Sequence, residues 1–121
     1  MTQRLAVVGS RTFNAVEVVR AHLQARLPTV VEIVSGGARG ADTLAELVAV
    51  ELGVPCVVLP ADWRRWGRGA GPRRNAEIAA RADAVLAFVD QPLDRCRGTR
   101  DVVERFRRAG KPVEVVVWPP G

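Results

Sequence analysis

Five short apolar runs, at residues 5–8, 30–34, 54–59, 84–89 and 113–117, constrain this chain more than any other feature. They are rich in β-branched residues and none alternates apolar with polar side chains. A strand of that kind is covered on both faces, which is the situation inside a parallel sheet sandwiched between helices.

The segments between the runs carry helical periodicity instead. The first helix is expected to open with Asn14 as N-cap and Glu17 three residues on, and to bury Val16, Val19, Leu23 and Leu27. His22 falls off that stripe and reads as a solvated side chain. A second helix is expected from about Thr43, where Glu46 completes a capping box, burying Leu44, Leu47, Val48 and Leu52 before Gly53 and Pro55 end it. A third runs from about Pro72, a first-turn position, to Arg81. A fourth starts at Thr99, carries Val102, Val103 and Phe106, and stops at Gly110. Strand and helix thus alternate five strands deep without repeat, linker or low-complexity segment. The reading is one α/β domain over residues 1–121, a doubly wound sheet of about five parallel strands flanked by helices.

Composition narrows the function classes. At 121 residues, 48% hydrophobic and 26% charged, the chain has room for one core and the make-up of a soluble globular protein. It lacks both a run of the ~20 apolar residues that span a bilayer and an apolar signal region over residues 1–10, so a cytoplasmic location without membrane contact is expected. Two cysteines, Cys56 and Cys96, and one histidine build neither a disulfide framework nor a histidine-rich metal site, and neither metal nor cofactor is expected. Cys56, in an apolar run, is expected in the core; Cys96, in a polar loop, is expected to be exposed. Of the 18 cationic residues all but Lys111 are arginine, at a net charge of +5. Arginine favours planar, forked acceptors such as phosphate, which points to an anionic partner, although arginine-rich usage also follows from a GC-rich genome.

In open parallel sheets, ligands sit beyond the carboxyl ends of the strands, where the strand order switches. The loops leaving those ends here are rich in glycine and arginine: Gly9-Ser10-Arg11, then Gly36-Gly37-Ala38-Arg39-Gly40, then Pro60-Ala61-Asp62, and a loop ending at Gly98-Thr99. Glycines let backbone N–H groups approach an anion, a following helix start adds free donors and partial positive charge, and Arg39 can add a forked ion pair. The plain alternative is that the glycines serve tight strand-to-helix turns only. Asp42 has two open roles: bonding N–H groups at the helix start, or holding a ribose hydroxyl or base amino group. Asp62 has the same options.

Residues 61–75, "ADWRRWGRGAGPRRN", read as a flexible cationic loop in which Trp63 and Trp66 either pack the loop onto the sheet edge or stack a base. Arg74 and Asn75, at the helix start, are the stronger candidates for ligand contact there.

The stretches Val8-Gly9-Ser10-Arg11, Ser35 to Asp42 ("SGGARGAD") and Pro72-Arg73-Arg74-Asn75 resemble the SLOG superfamily of Rossmann-like domains, which includes the DNA-processing protein Smf (DprA) and the LOG cytokinin-activating hydrolases. Within it the chain is most similar to the small YspA-like bacterial family, through the "GGARGAD" loop, the "ADW…GxxAGPxRN" segment and the later "GT". The resemblance runs from Leu5 to Val113 and implies a Rossmann-like fold that binds a nucleotide or nucleotide-derived ligand, in sensing or processing. The positions it carries over are Gly9, Ser10, Arg11, Gly36, Gly37, Arg39, Gly40, Asp42, Asp62, Trp63, Arg74, Asn75, Gly98 and Thr99. The LOG motif "PGGxGTxxE" is not intact: Asp94, Arg95 and Cys96 stand in place of Pro-Gly-Gly, and Val102 in place of the glutamate. Asp101 is one residue away, about 100° around a helix, and does not substitute for it.

Two classes of function follow. The first is nucleotide binding at the glycine loops, as a sensor or with N-glycosidic bond hydrolysis, for which a carboxylate among Asp42, Asp62, Glu77 and Asp101 would have to act as acid or base. The alternative is a single-stranded nucleic-acid-binding module of DprA type, favoured by the arginines and by Trp63 and Trp66. Trp118, near an apolar carboxyl-terminal run, suits either the core or a homo-oligomer contact.

Overall fold

In the computed structural model, which describes residues 2–120, five strands form one all-parallel sheet in the order β3-β2-β1-β4-β5. They are β1 (Gln3–Gly9), β2 (Val30–Ser35), β3 (Cys56–Val58), β4 (Ala84–Val89) and β5 (Val113–Val117). The central pair runs in unbroken register from Leu5 opposite Ala84 to Gly9 opposite Phe88. The doubly wound α/β architecture expected from the apolar runs is therefore what the chain adopts.

Alternation within β1 divides the core. Leu5 and Val7 face one layer, where α1 (Val16–Gln24) and α2 (Ala41–Leu52) pack with Val19, Leu23, Ala45 and Val48. Ala6 and Val8 face the other, against Ile78 of α4 (Ala70–Arg81) and Val102, Val103 and Phe106 of α5 (Arg97–Arg108). Phe88 and Phe106 are the largest fully buried side chains, one on each side. Among the described residues no helix is long and apolar enough to cross a membrane.

Helix starts depart from the expected caps. Helix α1 begins at Val16 with Ala15 at its N-cap, and Asn14 supplies its backbone carbonyl to Val16 N–H (3.0 Å) rather than a side-chain cap. It ends at Gln24, leaving Leu27 half-buried beyond it. Helix α2 begins at Ala41, two residues before Thr43, whose hydroxyl donates to Ala38 O (2.9 Å). Glu46 accepts from the Ser35 hydroxyl (2.7 Å) instead of closing a capping box. Small residues Ala41, Ala45 and Ala49 are the ones buried along the helix, and Leu47, expected in the core, is 51% exposed.

The 61–75 segment is not a flexible loop. It folds as a short helix α3 (Trp63–Trp66), one tight turn at Gly67–Gly69, and then α4, which starts two residues ahead of Pro72. Helix α5 likewise starts at Arg97, so Gly98 lies in its first turn. Three single residues also differ from expectation. Cys96 is buried, Cys56 is half-buried at the core margin, and His22 is half-buried with its ring edge-on to Phe88 at 5.6 Å. Trp118 is 40% exposed.

Candidate functional site

Strand order reverses between β1 and β4, and the loops leaving those two strands splay apart there. A cleft of about 400 Å³ opens between them, bounded by the β1 exit, the start of α5 and the first turns of α4. Of the residues singled out from the sequence, Gly9, Ser10, Arg11, Asp42, Arg74, Asn75, Gly98 and Thr99 line it. A second, shallower cleft of about 510 Å³ lies over the β2 and β3 exits and takes in Gly36, Gly37, Arg39 and Trp63. Gly40 and Asp62 line neither cleft.

The floor is stitched by Ser10. Its N–H donates to Phe88 O (2.9 Å), its carbonyl accepts from Ala41 N–H (3.2 Å) and its hydroxyl accepts from Asp90 N–H (3.1 Å). Gly9 is needed because any Cβ there would sit 1.9 Å from Phe88 O. Gly40, at φ +75°, brings the α2 start against the same loop, where a Cβ would lie 2.2 Å from Ser10 O. Its role is therefore close backbone packing behind the cleft.

The "GGARGAD" loop is folded around Asp42, which is 5% exposed. Its Oδ2 accepts from Gly36 N–H (3.0 Å) and Ala38 N–H (3.4 Å), so those two donors are already engaged by protein. Burial pushes the carboxyl up to about 6, against the opposing pull of the Ala38 N–H, the Arg74 guanidinium and the Gly36 N–H. Arg74 donates from Nη1 to Gly36 O (2.5 Å) and from Nε to Asn75 Oδ1 (2.9 Å). Asn75 donates in turn to Asp101 Oδ2 (2.9 Å), which also accepts from Arg105 Nε (3.0 Å). A chain of four side chains on α4 and α5 thus fixes the arginine that separates the two clefts.

On the opposite wall, Arg100 N–H is the first in α5 to reach a helical carbonyl, that of Cys96 (2.8 Å), so the N–H groups of Arg97, Gly98 and Thr99 precede the helical ladder. The Gly98 position is sterically open, with nothing within 4 Å of an added Cβ. Among the described residues Arg11, Arg39, Arg95 and Arg97 form neither ion pair nor side-chain hydrogen bond with protein. Asp62 instead caps α3, accepting from Arg65 N–H (3.2 Å). Trp66 is covered by Arg73, whose guanidinium carbon lies 3.5 Å from the ring centre, while Trp63 is 56% exposed.

Arg95, Cys96 and Arg97 belong to the wall but were not singled out from the sequence. Cys96 turns inward to lie 3.5 Å from the Ser10 hydroxyl. Among the described residues no group of three His, Cys, Asp or Glu side chains gathers to hold a metal ion.

Strand order, the two helical layers and a cleft at the switch point define the class as an open α/β domain of Rossmann type. Residues 3–66 match the YspA, cpYpsA-related SLOG family (YAcAr), and the chain belongs to that family. It is 37% identical over 120 residues to the Gene 61 protein of Mycobacterium phage D29, an alignment spanning 92% of this chain and 94% of that protein. In fold it is similar to DNA processing protein A (DprA) from Streptococcus pneumoniae, with a TM-score of 0.78 at 22% identity over 99% of this chain. The chain spans about half of that protein, 51% of its length. Membership of the SLOG family supports a nucleotide-related or nucleic-acid-binding role in general.

Proposed function

We propose that the cleft between β1 and β4 binds the phosphate of a nucleotide or nucleotide-derived ligand at the start of α5. The observation that carries this is Gly98. No neighbouring atom requires a glycine there, and glycine weakens a helix by roughly 0.5–1 kcal/mol relative to alanine. What it does provide is unobstructed access to the first-turn N–H donors, with the unpaired Arg11, Arg95 and Arg97 around them. The "GGARG" loop, whose Gly36 and Ala38 donors are held by Asp42, acts as the opposite wall and brings Arg74 to the site.

Calorimetric titration with AMP and with a short single-stranded DNA, at two salt concentrations, on wild type and Gly98→Leu tests this. AMP binding that Gly98→Leu weakens at least tenfold, with the thermal midpoint of the free protein unchanged, is the expected result. DNA binding alone, steeply salt-dependent and indifferent to Gly98→Leu, would transfer the function to a strand-binding surface.

One observation favours a second step after binding. Among the carboxylates considered as acid or base, Asp42 lies in the cleft wall, and burial moves its carboxyl up to about 6. N-glycosidic hydrolysis is the reaction this suits. Release of adenine from bound AMP, followed by chromatography and lost in Asp42→Asn, is the corresponding assay.

A further inference from the structure

The two clefts adjoin. Arg11, Thr12, Ala38 and Arg74 line both, and each lobe is within the ~300–1,000 Å³ of a small-molecule site. The lobes differ in chemistry. The first has a helix start and is ringed by Arg11, Arg95 and Arg97. The second has the unpaired Arg39 and the exposed ring of Trp63 on its rim. Trp66 is not equivalent, because Arg73 covers it.

Resting on the nucleotide reading above, we propose that the ligand is two-headed: a nucleoside diphosphate whose distal phosphate carries a second sugar or nucleoside, with its first phosphate at the α5 start, its second beside Arg11 and Arg74, and the second head in the other lobe. A mononucleotide fills one lobe and leaves the other wet. A diphosphate bridge suits the two arginines shared by both lobes: Arg11 can take phosphate oxygens in forked geometry, and Arg74, with Nε and Nη1 bonded to protein, keeps Nη2 to donate. In the second lobe Trp63 offers its face to a ring, a contact worth about 1–3 kcal/mol per stacked base in nucleic-acid complexes. Arg74 is held for this position by Gly36 O and by Asn75, so the bridge site is preformed rather than assembled by the ligand.

The experiment is a pair of calorimetric titrations, AMP against ADP-ribose, on wild type, Trp63→Ala, Trp63→Phe and Arg39→Ala. ADP-ribose is expected to bind wild type at least tenfold more tightly than AMP. That ratio is expected to fall towards one in Trp63→Ala and Arg39→Ala and to recover in Trp63→Phe, which keeps an aromatic face. Both altered positions are exposed, so unchanged thermal midpoints confirm intact protein. Equal affinities for the two ligands, or a preference for ADP-ribose indifferent to both Trp63→Ala and Arg39→Ala, would overturn the two-headed ligand while leaving mononucleotide binding in place. Binding of neither ligand would remove the nucleotide reading itself, and this inference with it.

Discussion

Replacing Asp42 by asparagine removes a charge that the fold holds at a cost. The carboxyl is 5% exposed, and its pKa is moved from 3.8 to about 6, with burial as the largest cause. A folded-state value above the unfolded one means that the native state binds the proton more tightly. The associated stability is therefore fully present below pH 3.8 and is lost as pH rises through 6. Integrated between pH 4 and pH 7.5, the shift corresponds to about 2–3 kcal/mol. Asparagine presents an acceptor of the same shape to Gly36 N–H and carries no charge, so Asp42→Asn does not share this dependence. Urea denaturation of both proteins at half-unit pH steps isolates the effect, because every other carboxylate titrates in both. The asparagine variant is expected to gain about 2–3 kcal/mol relative to wild type from pH 4 to pH 7.5, with the change spread between the unfolded and folded pKa values, centred near pH ~5 and levelling off above 6. Parallel curves, or a relative gain by wild type, would refute the account of Asp42 as a buried carboxylate stabilised mainly when protonated.

Arg74 opposes the burial effect on Asp42, so in Arg74→Met the midpoint of that same difference titration moves to higher pH; an unmoved midpoint contradicts the coupling. Gly40→Ala forces a Cβ to within 2.2 Å of Ser10 O at φ +75° and is expected to lose about 2–4 kcal/mol in denaturant unfolding, whereas Gly98→Ala is expected to be neutral or slightly stabilising. Lys111 donates from Nζ to Ala79 O (2.6 Å) and Ala82 O (2.8 Å) at the end of α4, so Lys111→Met is expected to lower stability by about 1–2 kcal/mol, with a change below 0.5 kcal/mol counting against the cap.

The sheet was legible because strands covered on both faces are apolar throughout, as β4 is from Ala84 to Val89, and no helix period fits those runs. Helix starts were not, because the expected caps were read from side-chain type. Ala15 starts α1 without a side-chain cap, and Gly40 starts α2 through a backbone conformation that sequence does not display. The greatest departure is at residues 61–75. Three glycines argue against helix by propensity, yet Ala70, Asn75 and Ile78 are buried in α4, and packing against α5 outweighs what propensity opposes. Cys96 was misplaced for a related reason: its neighbours Arg95 and Arg97 mark a polar loop, while its own direction is set by the helix that starts just after it.

The glycines of the site show why a motif identifies a place more readily than a role. They were read either as openings for an anion or as tight strand-to-helix turns, and structurally they divide. Gly9 and Gly40 are required by backbone crossings at 1.9 and 2.2 Å from an added Cβ. Gly36 is required by side chains, since its Cβ would meet Arg74 Nη1 at 2.7 Å and Asp42 Oδ2 at 2.9 Å. Gly37, at φ +73°, would bring a Cβ to 3.0 Å from Val58 Cγ1, and of these five only Gly98 meets nothing within 4 Å. Steric necessity and ligand access select the same amino acid, and they are separated by what a methyl group would touch. Where it touches protein, the glycine serves the fold that positions Arg74; where it touches nothing, as at Gly98, the free space adjoins the α5 donors. The loop that carries the family resemblance most visibly is thus largely scaffold, and the less conspicuous Gly98-Thr99 pair is the better place to look for the ligand.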